Sequence, residues 1–164
     1  MSPPSALPTA AVAVPVPEPD TWHFRHPVRI YWEDTDAGGI VFYGNYLKFM
    51  ERARSEWLSA LGLSQERLRS AGEGMFVVGE TQLRYLKPAR LDDLLTITVR
   101  LVELGRATIA FQQEVWRGDT VLTQGRVRIG WVEPFEDHFK PGRIPAQILA
   151  LLPTPIQTPE VDRP

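Results

Sequence analysis

The chain is expected to be an α+β protein in which a five-stranded antiparallel sheet wraps around one long central helix. Three observations predict this. Residues 45–61 carry a strong helical period, four later segments with strand character follow one another through turn signals, and one alternating segment precedes the helix. An antiparallel sheet needs its apolar face covered, and a single amphipathic helix covers it only by lying across it.

The first strand is read over Phe24 to Trp32, where Val28, Ile30 and Trp32 share one face and Arg29 and Tyr31 the other. A loop follows, residues 33–44 (EDTDAGGIVFYG), with two adjacent glycines and two aspartates. The helix then begins at Asn45 and runs for about 16 residues. Tyr46, Phe49, Met50, Ala53, Trp57 and Leu61 recur on its apolar side, while Lys48, Arg52, Arg54, Ser55 and Ser59 fall mostly on the other, and Gly62 supplies the stop. Four strands are read after a glycine-bearing stretch at 72–74: Phe76 to Leu86, Leu94 to Glu103, Ala107 to Trp116 and Val121 to Val132. The second alternates most cleanly, with Leu95, Ile97, Val99 and Leu101 inward and Thr96, Thr98 and Arg100 outward. Gly105 and the Gly118-Asp119 pair mark the hairpin turns between the last three strands.

Three segments follow from this reading. Residues 1–21 hold six of the 15 prolines with no helical or strand period and are expected to be a flexible tail. Residues 22–145 form the folded domain. In residues 146–164 a short helix docks its apolar side on the body, within the stretch Ile144 to Leu152, and the chain is expected to fray beyond Pro153.

The 164 residues suit one ordinary core, and a hydrophobic share of 43% with 23% charged residues is that of a folded soluble protein. A formal net charge of −2 gives no reason to expect nucleic acid or an anionic membrane as the main partner. The absence of cysteine excludes a disulfide, a thiolate nucleophile and a Cys-based zinc site, and fits the cytoplasm. The apolar stretch Ala6 to Val16 lacks a basic leader and is broken by Pro8 and Pro15, so a signal peptide is not expected, nor is stable membrane insertion, since no run of about 18 apolar residues occurs.

Residues 28–58, VRIYWEDTDAGGIVFYGNYLKFMERARSEWL, closely resemble the first strand, loop and helix of the 4-hydroxybenzoyl-CoA thioesterase family, particularly its YbgC-like branch. A second block, residues 85–93 (YLKPARLDD), resembles that branch at the corresponding later strand. With the strand order, the resemblance covers roughly residues 24–145 and implies the hotdog fold and an acyl-coenzyme A thioesterase. It also implies a homodimer or homotetramer, with the site at the seam between subunits. No cofactor is implied, because coenzyme A is part of the substrate.

Thioester hydrolysis needs a group that delivers or activates an oxygen nucleophile, and donors for the charge that builds on the carbonyl oxygen. With no cysteine, and no serine in a nucleophile-elbow context, a carboxylate suits the first task; residue pattern alone leaves Asp34 and Asp36 both open. The resemblance selects Asp36, the aspartate before the Ala-Gly pair, as nucleophile or general base. It likewise places the carbonyl oxygen near the backbone N–H of Tyr43, at the entry to the helix, where the first N–H groups lack partners and the dipole is positive. Gly44 would let substrate approach closely. Many YbgC-like members carry histidine where this chain has Tyr43, whereas 4-hydroxybenzoyl-CoA thioesterases carry tyrosine, so a mechanism relying on an imidazole there is ruled out. Arg84, Lys87, Arg90 and Arg106, near strand ends, are candidates for the phosphates of coenzyme A.

Other readings weigh less. The Asp-Thr-Asp run lacks the spacing of a calcium loop, and Asp34 suits a turn. Glu51 and Glu56 lie on the helix, where a salt-bridged or interface role is expected for Glu51. His23, His26 and His138 show no ligand spacing and are read as surface or turn residues, so no metal is expected. The rival to an enzyme is a non-catalytic acyl-binding or scaffold protein that recruits acyl carrier protein. Retention of Asp36 with its glycine pair favours the enzyme.

Overall fold

The structure is a computed structural model and describes residues 22–157. The tail expected over residues 1–21 lies outside these. Strands β1 (Phe24–Arg29), β2 (Met75–Tyr85), β3 (Leu94–Leu104), β4 (Thr108–Arg117), β5 (Thr120–Phe135) and β6 (His138–Pro141) accompany helices α1 (Asn45–Ala60), α2 (Gln65–Ser70) and α3 (Ala146–Leu149). The sheet is antiparallel in the order β1-β3-β4-β5-β2, with β6 paired to the end of β5. This is the expected five-stranded sheet around one long helix, extended by a sixth short strand. The sequence reading missed β6 because it lies where prolines begin to punctuate the chain, and it missed α2 because six residues hold too little period.

Helix α1 forms where its apolar residues recur. Tyr46, Phe49, Met50, Ala53 and Trp57 are all buried, and they meet Leu95, Ile97, Val99 and Leu101 of β3, each fully buried, and Phe111 and Val115 of β4. Trp57 stands edge-on to Phe111 at 5.7 Å. Gly125 gives α1 its close approach to the sheet, since a Cβ there would stand 2.9 Å from the Met50 methyl.

Two expectations about side-chain direction fail. Trp32 does not continue the buried face of β1 but is 80% exposed, because the chain leaves the sheet for a 3-10 turn at Trp32–Asp34. Thr98 and Arg100 are buried although they face away from α1. Chain segments flanking the domain cover that side: the Trp22 ring lies 4.0 Å from the Arg100 guanidinium, in cation–π contact.

Fraying does not begin at Pro153. The Ile156 N–H donates to the Leu101 carbonyl at 2.9 Å, and the Thr154 carbonyl lies 3.2 Å from His23 Nε2. The edge of β3 that β1 leaves at Phe24 is therefore taken over by the C-terminal segment, and His23 is a bridging residue rather than a surface one. Upstream, Ile144, Ile148 and Leu152 are buried, as expected of the docked helix. Among the described residues, no helix is long and apolar enough to cross a membrane.

Candidate active site

The loop between β1 and α1 is built on its two aspartates. Asp34 takes the Tyr31 N–H on its Oδ2 at 2.8 Å, and its carbonyl accepts from the Phe42 N–H and from the Asn45 amide. It is a turn residue, with its carboxylate already engaged. Asp36 opens a tight hairpin that closes on Ile40, whose carbonyl accepts the Asp36 N–H at 3.0 Å. Its Oδ1 accepts the Gly38 N–H at 2.8 Å, which orients the carboxylate and leaves Oδ2 without a partner among the described residues. Both turn residues are glycines for separate reasons: a Cβ at Gly38 would stand 3.1 Å from Asp36 Oδ1, and Gly39 has a φ of 75°.

The second block of the sequence, residues 85–93, holds this loop from the other side. The Val41 N–H donates to the Ala89 carbonyl at 2.9 Å, and the Ala89 N–H donates to the Tyr46 hydroxyl on α1. Asp93 accepts from the Arg90 N–H and from Arg117, each at 2.8 Å, and its carbonyl takes the Ile30 N–H. Its carboxylate is therefore structural.

Tyr43 follows directly in this tied segment, one residue before Gly44, the cap of α1. Its backbone N–H, like that of Gly44, has no acceptor among the described residues. The Tyr43 carbonyl accepts from the Tyr85 hydroxyl at 2.9 Å. Rings descend from here into the core, with Tyr43 and Tyr46 both edge-on to Tyr85, at 6.5 and 5.5 Å, and Phe49 below them. Burial raises the pKa of both the Tyr46 and Tyr85 hydroxyls, so each stays protonated at neutral pH. Gly44 has an ordinary helical φ, and its missing side chain makes room for the Phe42 ring.

The basic candidates separate. Lys87 and Arg90 flank Ala89 and stand beside the Asp36 loop, with Ile40 and Arg90 forming an isolated bridge. Arg84 lies on the outer face of the sheet, in an open groove of about 540 Å³ with Gln82, Gln124 and Arg126. Arg106 sits in the β3–β4 hairpin, at the other end of β3 from this loop and so roughly 30 Å away along the strand. Within one chain it is not brought to Asp36.

Tyr85 and Tyr46 escaped the sequence reading. Tyr85 opens the second matched block, but nothing local tells that its hydroxyl reaches a carbonyl 42 residues earlier. Glu51 forms no ion pair among the described residues and instead accepts from the Ser55 hydroxyl.

This constellation coincides with a match to known proteins. The family model for the thioesterase superfamily, 4HBT, matches residues 38–124. The chain belongs to the thioesterase superfamily. Acyl-CoA thioesterase YbgC of Haemophilus influenzae is 39% identical over 127 residues, which cover 77% of this chain and 92% of that protein. Acyl-CoA thioester hydrolase YbgC of Escherichia coli O157:H7 is 39% identical over 132 residues, 80% of this chain and 96% of the relative. Among solved structures, a probable thioesterase from Bartonella henselae aligns with a TM-score of 0.69 at 35% identity, over 74% of this chain and 98% of that one. The chain is thus a thioester hydrolase with the hotdog fold that its element order predicted.

Proposed function

We propose that the protein hydrolyses an acyl-coenzyme A to the free acid and coenzyme A. The observation that carries this is the pairing, on one tied loop, of a carboxylate oxygen of Asp36 and the Tyr43 N–H at a helix start, both without a partner among the described residues. The thioester oxygen accepts the Tyr43 N–H, which polarises the carbonyl and holds the negative charge of the tetrahedral intermediate. Asp36 takes a proton from a water whose oxygen bonds to the carbonyl carbon. As the intermediate collapses, the carbon–sulfur bond breaks and the thiolate leaves, to be protonated as coenzyme A. The alternative, direct attack by Asp36 to give a mixed anhydride, uses the same residues; the general-base route suits an aliphatic acyl group.

The working unit in this reading is a homodimer or homotetramer. Strand β2 is an edge strand of 11 largely exposed residues, which supports pairing of two copies edge to edge into one continuous sheet. Lys87 and Arg90 would meet the phosphates of coenzyme A beside Asp36, Arg84 would reach them across the sheet edge, and Arg106 would serve only from a second copy. The setting is the cytoplasm.

Release of free thiol over a panel from acetyl- to palmitoyl-CoA, with benzoyl types included, tests the activity. Silence across the whole panel would overturn it. Sedimentation combined with activity over a dilution series tests the assembly, and a fully active monomer of 18.6 kDa would rule out a shared site.

A further inference from the structure

Arg54 should point to solvent by its place in the helical period, yet it is buried, with an exposure of 8%. Its Nη1 donates to Gln113 Oε1 at 2.7 Å, and the Gln113 amide donates in turn to the carbonyls of Met50 and Thr98. No carboxylate lies within ion-pair distance of it among the described residues. A guanidinium carries five N–H donors. Only one is used here, and the other nitrogens are not sealed from solvent.

Arg54 lines a groove of about 310 Å³ between α1 and β2, and also a smaller hollow of about 90 Å³ beside Ser55 and Phe76. In the groove, Leu47, Val78 and Val127 give apolar walls, Thr81 lies along it, Lys48 lines it one residue on from Leu47, and Glu51 and Arg54 stand further along α1. Its near end lies toward the candidate active site. Leu47 is one turn beyond Tyr43, and Thr81 shares the inner side of β2 with Tyr85, four residues on, which touches Tyr43. From Asn45 to Arg54 the helix rises roughly 14 Å, and the arginine side chain leans back by about one turn, which leaves on the order of 10 Å.

Resting on the reading of Tyr43 as the carbonyl site, we propose that this groove takes the acyl group. Arg54 then selects, at the far end, an acyl group that ends in a carboxylate about 10 Å from the thioester. A carboxylate there accepts from two guanidinium N–H groups in fork geometry. A plain alkyl chain of the same length strips water from those donors and replaces it with nothing. Glu51 shares that end of the groove, so its charge weakens the selection.

Two coenzyme A thioethers, which cannot be hydrolysed, provide the probe: chains of about eight carbons, the length that fits the groove, ending in methyl or in carboxylate. Calorimetry on the full chain should show the carboxylate ligand bound at least tenfold tighter. Arg54→Met should reverse the order, and Glu51→Gln should widen the wild-type preference severalfold. The same ratio in wild type and Arg54→Met, or no binding of either ligand, overturns the proposal. Should Arg54→Met fail to fold, an unchanged ratio in Glu51→Gln overturns it, because Glu51 is exposed and its removal leaves the core intact. Binding with this preference but no thiol release would count against the proposed hydrolysis alone. Thiol release without the preference would count against this inference alone.

Discussion

The Tyr85 hydroxyl donates to the Tyr43 carbonyl across 2.9 Å, so strand β2 holds the peptide at which the central helix begins. In the proposed mechanism, that bond fixes the segment whose N–H groups polarise the thioester. Tyr85→Phe removes the donor while keeping the ring contacts with Tyr43 and Tyr46. A neutral hydrogen bond of about 1 kcal/mol corresponds to a three- to tenfold loss in kcat. KM should change little and the Tm should stay within a few degrees. An unchanged kcat would show that the bond does not position the donor.

Asp36 and Asp34 separate by what their carboxylates already do. Asn at 36 can still accept the Gly38 N–H through its amide oxygen, so the turn survives while the proposed base is lost. Asp36→Asn should therefore fold as wild type and lose on the order of 10² to 10⁴ in kcat. Asp34→Asn keeps an acceptor for the Tyr31 N–H and should lose far less. Thiol release with purified variants decides, and a dead Asp34→Asn beside an active Asp36→Asn would reverse the assignment.

Gly38 and Gly39 offer a cleaner contrast. Alanine at 38 is compatible with the backbone, but its methyl presses on Asp36 Oδ1 from 3.1 Å and should lower kcat about tenfold or more with stability kept. Alanine at 39 meets nothing, but at a φ of 75° it should cost about 1 kcal/mol in stability and leave kcat near wild type. Denaturant melts and initial rates on the two variants should show opposite patterns.

Much of this architecture could be read from local pattern, and the misses at side chains turn on hydrogen bonds that the pattern does not carry. The period of α1 and the alternation of β3 are properties of contiguous residues, so both elements fall within a residue or so of where they were expected. Arg54 reads as a surface charge because its burial depends on Gln113, 59 positions away, which presents an amide to it from the opposite layer. Trp32 reads as core because nothing in the alternation announces that Asp34 will cap Tyr31 and turn the chain out of the sheet. At the site, only resemblance distinguishes Asp36 from Asp34 in the sequence; in the structure Asp34 accepts the Tyr31 N–H and Asp36 the Gly38 N–H. Arg106 lies near a strand end as expected, but sequence does not tell which end of the sheet that is.

The protonation state of His23 ties the domain's closure to pH. Its Nδ1 accepts the Leu101 N–H at 3.1 Å and must therefore be bare, so Nε2 carries the proton that faces the Thr154 carbonyl at 3.2 Å. Burial holds the imidazole pKa below its ordinary 6.5; the bond to Thr154 offsets part of this, and the charge of Arg100 adds to the lowering. A folded value below the unfolded one means that the folded state binds fewer protons. The stability from this contact is then complete above about pH 6.5 and declines as pH falls through the folded value. Glutamine at this position carries one acceptor and one donor as neutral histidine does, but does not titrate. Between pH 7 and 5, the urea midpoint of the wild type should fall more steeply than that of His23→Gln. Protection of the Ile156 amide from hydrogen exchange should fade over the same window, since residues 154–156 are held partly through this ring. Parallel midpoint curves for the two proteins would show that His23 carries no proton linkage.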